Sequence, residues 1–296
     1  MSSSAVTIHG RNRAAVVDEL RRLLPRLESA ATTVRALPFG LAPLDAHLPQ
    51  GGLAVGALHE VAPHQHGDTA AAFGFLVALL ARFAPAHVPA KWAPVRRQGH
   101  APIDQSRACP DSAGMGHAPA RPMLFIAPSH AFAEHGRPHG HGLQRLGLDP
   151  ARLILVETRN EKQALWAMEE ALRSAVPAAV GGAVAKLDLK ASQRLQLAAG
   201  EAGLPLLLLR PATTEDASAA ATRWRIGAAE AARDRFGLIE RTRWNVRLER
   251  CRNGRPGDWL VEFDHAAYRF SLAAALADPA LSRGADARSK RLRRAG

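Results

Sequence analysis

The chain has 296 residues, room for one large domain or for one domain with an appendage, and a hydrophobic share of 47% is enough for a sizeable core. No apolar run reaches the roughly eighteen residues of a membrane-spanning helix, and the two distant cysteines, Cys109 and Cys251, suggest neither a disulfide framework nor a zinc site but reduced thiols. The net charge of +12 favours an acidic partner such as nucleic acid and says nothing about fold. The excess is uneven: residues 223–296 hold 17 Lys/Arg against 9 Asp/Glu, although a G+C-rich genome would also enrich arginine. Residues 1–11 carry no apolar signal core with a cleavage site, so the expected location is the cytoplasm.

Residues 12–36 read as an amphipathic helix, with Val16, Leu20, Leu23, Leu24 and Leu27 at helical spacing. Residues 57–62 fit a short buried strand, 63–67 a turn, and 68–83 a strongly apolar helix with Asp68 or Thr69 near its start. The segment 85–122 is rich in Pro, Gly and His and shows no sustained periodicity, which predicts a mobile insertion. Order resumes with a strand over 123–127, a helix over 140–146 and a strand over 152–156. A helix over 161–174 follows, with Ala164, Leu165, Met168, Ala171 and Leu172 on one face. A small-residue strand over 178–185 is read as broken by Gly181-Gly182. A helix over 190–202 is closed by Gly203, and a leucine run over 205–209 makes another buried strand. Strands alternating with helices imply parallel pairing with helices on both faces. Beyond Pro211 the pattern becomes short strands, with Asn253-Gly254 marking a hairpin between 244–251 and 258–264. The basic tail from Ser282 is expected to be disordered.

A strand, a Gly-containing turn and a helix are the setting of a P-loop, Gly-x-x-x-x-Gly-Lys-Ser/Thr. Here the eight positions are Ala62-Pro63-His64-Gln65-His66-Gly67-Asp68-Thr69. Gly67 and Thr69 match, Ala62 replaces the first glycine and Asp68 replaces the lysine. A carboxylate facing a polyphosphate would cost about 1–4 kcal/mol per close pair, where the lysine would attract it. Thr69 remains able to meet magnesium, and a helix N-terminus still favours anions. Two readings stand at this point: a degenerate nucleotide loop, or a plain strand–turn–helix with Asp68 as N-cap.

The ordered set of segments resembles a RecA-like core. Gly51-Gly52-Leu53, Gly56, the strand to Ala62 and the altered loop resemble its opening. The strand from Met123 resembles the next one, with Pro128-Ser129-His130 where a catalytic glutamate would follow. More specifically, the chain resembles the ImuA family over roughly residues 37–270. The resemblance rests on Gly147-Leu148-Asp149-Pro150 with Leu153–Val156, Gln193–Ala199, Leu206–Pro211, Thr222-Arg223-Trp224-Arg225-Ile226 and Trp244–Arg252. It implies an α/β fold, a mostly parallel sheet flanked by helices, with an N-terminal helical segment (1–36), a core (37–270) ending in a β-hairpin, and a basic tail (271–296). It also implies a damage-inducible accessory of translesion synthesis. The expected partners are RecA, an ImuB-like relative of Y-family polymerases and an error-prone replicative-type DNA polymerase, with no cofactor. The strand-end aspartate of the second nucleotide motif is missing too, since Ala183-Val184-Ala185 ends without a carboxylate and Asp188 follows. Three altered elements together predict that ATP hydrolysis is lost. The competing expectations are a RecA-type DNA-dependent ATPase and a SulA-type division inhibitor, the latter disfavoured by chain length.

His130, His135, His139 and His141 crowd into twelve residues; as a metal site they lack cysteine partners, and exposed turn histidines are the alternative. Arg241, Arg243, Arg247, Arg250 and Arg252, with Trp224, Trp244 and Trp259, mix basic and aromatic character. They fit either a surface for single-stranded DNA or a half-buried strand with core tryptophans. In the tail, Arg288, Lys290, Arg291, Arg293 and Arg294 are candidates for weak, salt-sensitive DNA contacts or for plain solvation.

Overall fold

The computed structural model describes residues 35–83, 121–233 and 235–273. The helix expected over 12–36 falls outside them except at its end, where Ala36 opens a strand. The insertion is outside up to residue 120, and the tail beyond 273, with Arg288, Lys290, Arg291, Arg293 and Arg294, is outside as well.

A two-stranded ribbon, β1 (Ala36–Leu37) against β2 (Leu53–Ala54), frames the short helix α1 (Ala42–Asp45). The main sheet begins with β3 (Leu58–Pro63), which leads through a tight turn into α2 (Thr69–Phe83). Then come β4 (Met123–Pro128), α3 (Gly140–Arg145), β5 (Leu153–Thr158), α4 (Glu161–Arg173) and β6 (Ala179–Ala183). α5 (Leu189–Ala202) and β7 (Leu206–Leu209) follow. The chain closes with β8 (Thr222–Arg233), β9 (Ile239–Cys251), β10 (Gly257–Asp264) and β11 (Arg269–Leu272). The nine strands lie in the order β11-β10-β9-β8-β3-β7-β6-β4-β5. All pairs from β8 to β5 are parallel, whereas β8 to β11 form an antiparallel meander.

The helices fall on two faces because the parallel strands are apolar on both. Val61, Phe125 and Leu207 face α2 with Phe75, Leu76, Leu79 and Leu80. Leu58, Ile126, Leu206 and Leu208 face α4 and α5 with Met168, Leu172 and Leu195. Local chemistry sets the helix ends. Asn160 Oδ1 accepts from the Gln163 amide at 3.0 Å and starts α4, and Asp188 Oδ1 accepts from the Ala191 amide at 2.7 Å and starts α5. Gly203, at φ +62°, closes α5 in the left-handed conformation.

Two expectations change. Gly181-Gly182 does not break β6; a Cβ at Gly182 would collide with the Met168 side chain and stand 2.6 Å from the Ile126 carbonyl oxygen, and one at Gly181 would stand 2.8 Å from Leu80. Those glycines let α2 and α4 press on opposite faces of one strand. The C-terminal hairpin is real, with Asn253 at φ +59° in its turn, but it is the middle of a four-stranded antiparallel extension. The long β8–β9 pairing was not legible because Thr222–Arg233 mixes Ala, Arg and Glu without clean alternation, and its ladder shifts register between Ala229 and Ala232.

Candidate functional site

The altered loop sits where β3 ends, at the edge where the parallel strands deliver their C-termini, the usual place for a ligand in such sheets. Ala62 is buried inside β3, and Gly67 lies in a 3-10 turn, 66–68, that enters α2 directly. Three of the loop amides are occupied by carbonyls. His64 N donates to Ile226 O at 2.8 Å, Asp68 N to Gln65 O at 2.9 Å, and Thr69 N to His66 O. The Thr69 hydroxyl also donates to His66 O, at 2.7 Å. A phosphate cradle needs several amides converging on open space, and these amides converge on carbonyls.

Asp68 does not cap the helix. Its side chain is 7% exposed and its Oδ1 accepts from the Ala228 amide of β8 at 2.9 Å, which ties the loop to the neighbouring strand past the point where β3 ends. Asp68 is therefore a buried carboxylate with a structural partner. Beside it, His64, Gln65, Arg225, Asn245, Arg247 and Asp258 line an open cleft of about 550 Å³.

The other altered elements are also accounted for. At the end of β4, Ser129 Oγ lies 3.3 Å from the Thr158 carbonyl and His130 Nε2 lies 3.4 Å from Glu161. Glu161 Oε1 accepts from the Ala185 amide at 3.0 Å, and Asp188 is engaged as the α5 cap. His66 and His135 both approach Glu134, at 3.4 and 3.8 Å, and the His139 and His141 rings stack at 5.8 Å. Among the described residues no three His, Cys, Asp or Glu side chains are grouped to hold a metal.

Beneath this rim lies an ionic group that sequence reasoning missed. Glu60 is fully buried on β3, receives Arg223 Nε at 2.8 Å and faces Arg210 Nε at 3.6 Å. Arg210 also donates to the Val184 carbonyl at 2.9 Å, and burial holds its guanidinium below the ordinary arginine value. The arginines of β8 and β9 fasten the β7–β8 crossover by its carbonyls. Arg223 reaches Asp216 O at 2.6 Å, Arg225 reaches Ala212 O and Thr214 O, and Arg250 reaches Ser218 O at 2.6 Å. On the opposite face a fully buried His59 closes a polar chain. The Trp224 indole N–H donates to Thr222 Oγ1, Thr222 then donates to His59 Nδ1 and His59 Nε2–H donates to the Ala54 carbonyl, each at 2.8–2.9 Å. This order is the one that satisfies a donor-only indole. Burial pushes the His59 pKa down to about 4, against the opposing pull of the Ala54 carbonyl. The one signal for both groups was a His59-Glu60 pair inside an otherwise apolar strand.

The basic–aromatic set separates on the two faces of the antiparallel sheet. Trp224 and Trp244 are core, packed around Phe75 and Phe270, and have no face open to a base. Arg241 and Arg243 converge on Glu262 at 3.3 and 2.7 Å. Arg247 is exposed, 3.7 Å from an exposed Asp258, and Arg250 at the end of β9 and Arg252 in the turn after it are exposed.

Fold and loop define an α/β protein with a mostly parallel, helix-flanked sheet, an antiparallel extension and an occupied loop at the ligand-bearing edge. No family model matches the chain. It is 41% identical over 153 residues to Protein ImuA of Caulobacter vibrioides strain NA1000 / CB15N, and to the same degree to Protein ImuA of strain ATCC 19089 / CIP 103742 / CB 15. The matched part is 46% of this chain and 62% of each relative, so the chain spans less than two thirds of the length of the curated relatives it matches. Over that stretch the chain is similar to ImuA proteins.

Proposed function

We propose that the protein is an accessory factor of damage-induced mutagenesis that acts by binding other proteins and does not hydrolyse ATP. Its partners in this reading are RecA, an ImuB-like relative of Y-family polymerases and an error-prone replicative-type DNA polymerase, and its setting is the cytoplasm. The likeness to Protein ImuA supports the pathway. The observation that carries the non-catalytic part is Asp68. A buried carboxylate stands where a nucleotide loop needs a lysine, and it is held by the Ala228 amide. An anionic nucleotide tail entering here would meet that carboxylate and find the His64, Asp68 and Thr69 amides already bonded.

Calorimetric titration of the purified chain with ATP and magnesium tests the nucleotide part, with Asp68→Lys alongside. The expected result is no heat of binding for the native chain. Saturable binding by the native chain would overturn the reading and restore an ATP-dependent activity. The pathway part is tested by deleting the gene and measuring mutation frequency after DNA damage. Damage-induced mutation should fall and return on complementation with an Asp68→Asn variant, which keeps an acceptor for the Ala228 amide. An unchanged frequency in the deletion would refute the pathway assignment.

A further inference from the structure

Several arginines of the antiparallel extension are neutralised: Arg241 and Arg243 by Glu262, Arg225 by Glu249 at 3.0 Å. The turn from β9 to β10 is different. Arg250 stands on β9 directly opposite Arg223 of β8, a like-charge cross-strand pair. Arg252 and Arg255 follow within five residues, and all three are exposed. Their backbone is fixed: Arg252 N donates to Ala221 O at 2.8 Å, and Arg255 N to His47 O at 3.0 Å. Among the described residues no carboxylate pairs with Arg250, Arg252 or Arg255; Arg250 has only the carbonyls of Ser218 and Ala220. Burial, then the charge of Arg223, and after them that of Arg252, hold the Arg250 guanidinium below its ordinary value. The one opposing acid, Glu60, is already shared between Arg210 and Arg223. This end of the sheet keeps an uncompensated positive field on a rigid support.

We propose that the turn 250–255 is a binding site for the phosphodiester backbone of nucleic acid, contacted by Arg250, Arg252 and Arg255. Guanidinium groups suit phosphate by their planar forks. Arg250 lies at the end of β9, and Arg252 and Arg255 lie in the turn that follows, so the three are close together in the chain at one end of the sheet. A protein partner is disfavoured because none of the exposed large apolar side chains belongs to this turn, which leaves no anchor of the kind that protein interfaces require. The contact is independent of base sequence, since backbone phosphates carry no sequence information. It does not depend on the adaptor reading above; either stands if the other fails.

The test is fluorescence anisotropy of a labelled oligothymidylate with the whole chain, over a series of salt concentrations. Arg252→Ala with Arg255→Ala is the informative double variant, because Arg250 also holds the crossover. It should bind about tenfold more weakly at low salt, and the slope of log affinity against log salt should shrink by about 1.4, at ~0.7 per lost phosphate contact on a single strand. Its melting temperature should match the native chain. Lys162→Ala with Lys190→Ala, which removes the same charge from exposed positions on α4 and α5, should leave the slope in place. The proposal is overturned if the native chain does not bind the oligonucleotide. It is equally overturned if the two double variants lose the same slope, or if polyglutamate displaces the strand at equal charge, which would make the ligand an acidic protein segment.

Discussion

The two halves of the main sheet are held by different physics. From β3 to β5 the strands are parallel, covered by α2 on one face and by α4 and α5 on the other, and filled with Leu, Val, Ile, Ala and Gly. From β8 to β11 they are antiparallel. One face carries the aromatic core of Trp224, Trp244, Phe263 and Phe270; the other carries arginines paired with Glu60, Glu249, Asp258 and Glu262. The central strands β4, β6 and β7 carry no charged residue, whereas a strand with one uncovered face can hold a ladder of them. The two halves join at β3 and β8, where Glu60 is paired in register with Arg223.

Breaking that junction should cost most. Glu60→Gln removes the acid and strands two arginines in a dry site, so urea unfolding should show a loss of about 3–5 kcal/mol. Replacing the group by matched apolar residues should cost far less, which would separate charge burial from packing. The next effect is acid sensitivity. His59 has a folded pKa of about 4, below its unfolded 6.5, so the unfolded chain takes up the proton first as pH falls. Stability should be intact above pH 6.5 and decline towards pH 4 by about 3 kcal/mol, and His59→Gln should flatten that window. A smaller effect, in the parallel half, is steric: Gly182→Ala forces a methyl group against Met168 and the Ile126 carbonyl, and should cost ~1–3 kcal/mol with no dependence on salt or pH. Smallest is Arg247→Ala. Its pair with Asp258 is exposed on both sides, and the change in thermal stability should stay within ~0.5 kcal/mol. If Gly182→Ala proved salt-dependent, or Arg247→Ala severe, the division between a packed half and an ionic half would be wrong.

The parallel half was readable from the sequence because its signals are local. Apolar runs such as Leu206–Leu209 are strands, Asn160 and Asp188 stand ahead of their helices as caps, and Gly203 ends α5. The antiparallel half was less readable because its signals are partnerships. Nothing beside Glu60 in the chain announces Arg210 and Arg223, which lie about 150 residues or more away and meet it only when β7 and β8 flank β3. The same limit applied to Asp68. Its departure from the loop pattern was plain, and an N-cap was the local explanation, but its partner is an amide 160 residues later. The arginines from 241 to 252 were visible as a group, yet sequence could not divide those occupied by Glu262 from those left exposed at 250 and 252.

On the proposed reading, the Asp68–Ala228 hydrogen bond makes the loss of a phosphate site hard to reverse. In an ordinary degenerate loop, one substitution back to lysine would begin to restore the lost charge. Here the same substitution would first leave the Ala228 amide without its acceptor at the seam between loop and β8, while the His64, Asp68 and Thr69 amides stayed bonded to carbonyls. A lineage drifting back would have to cross a less stable intermediate before gaining any affinity. In that reading the bond acts as a ratchet, because the fold has come to need Asp68 whatever the loop once bound.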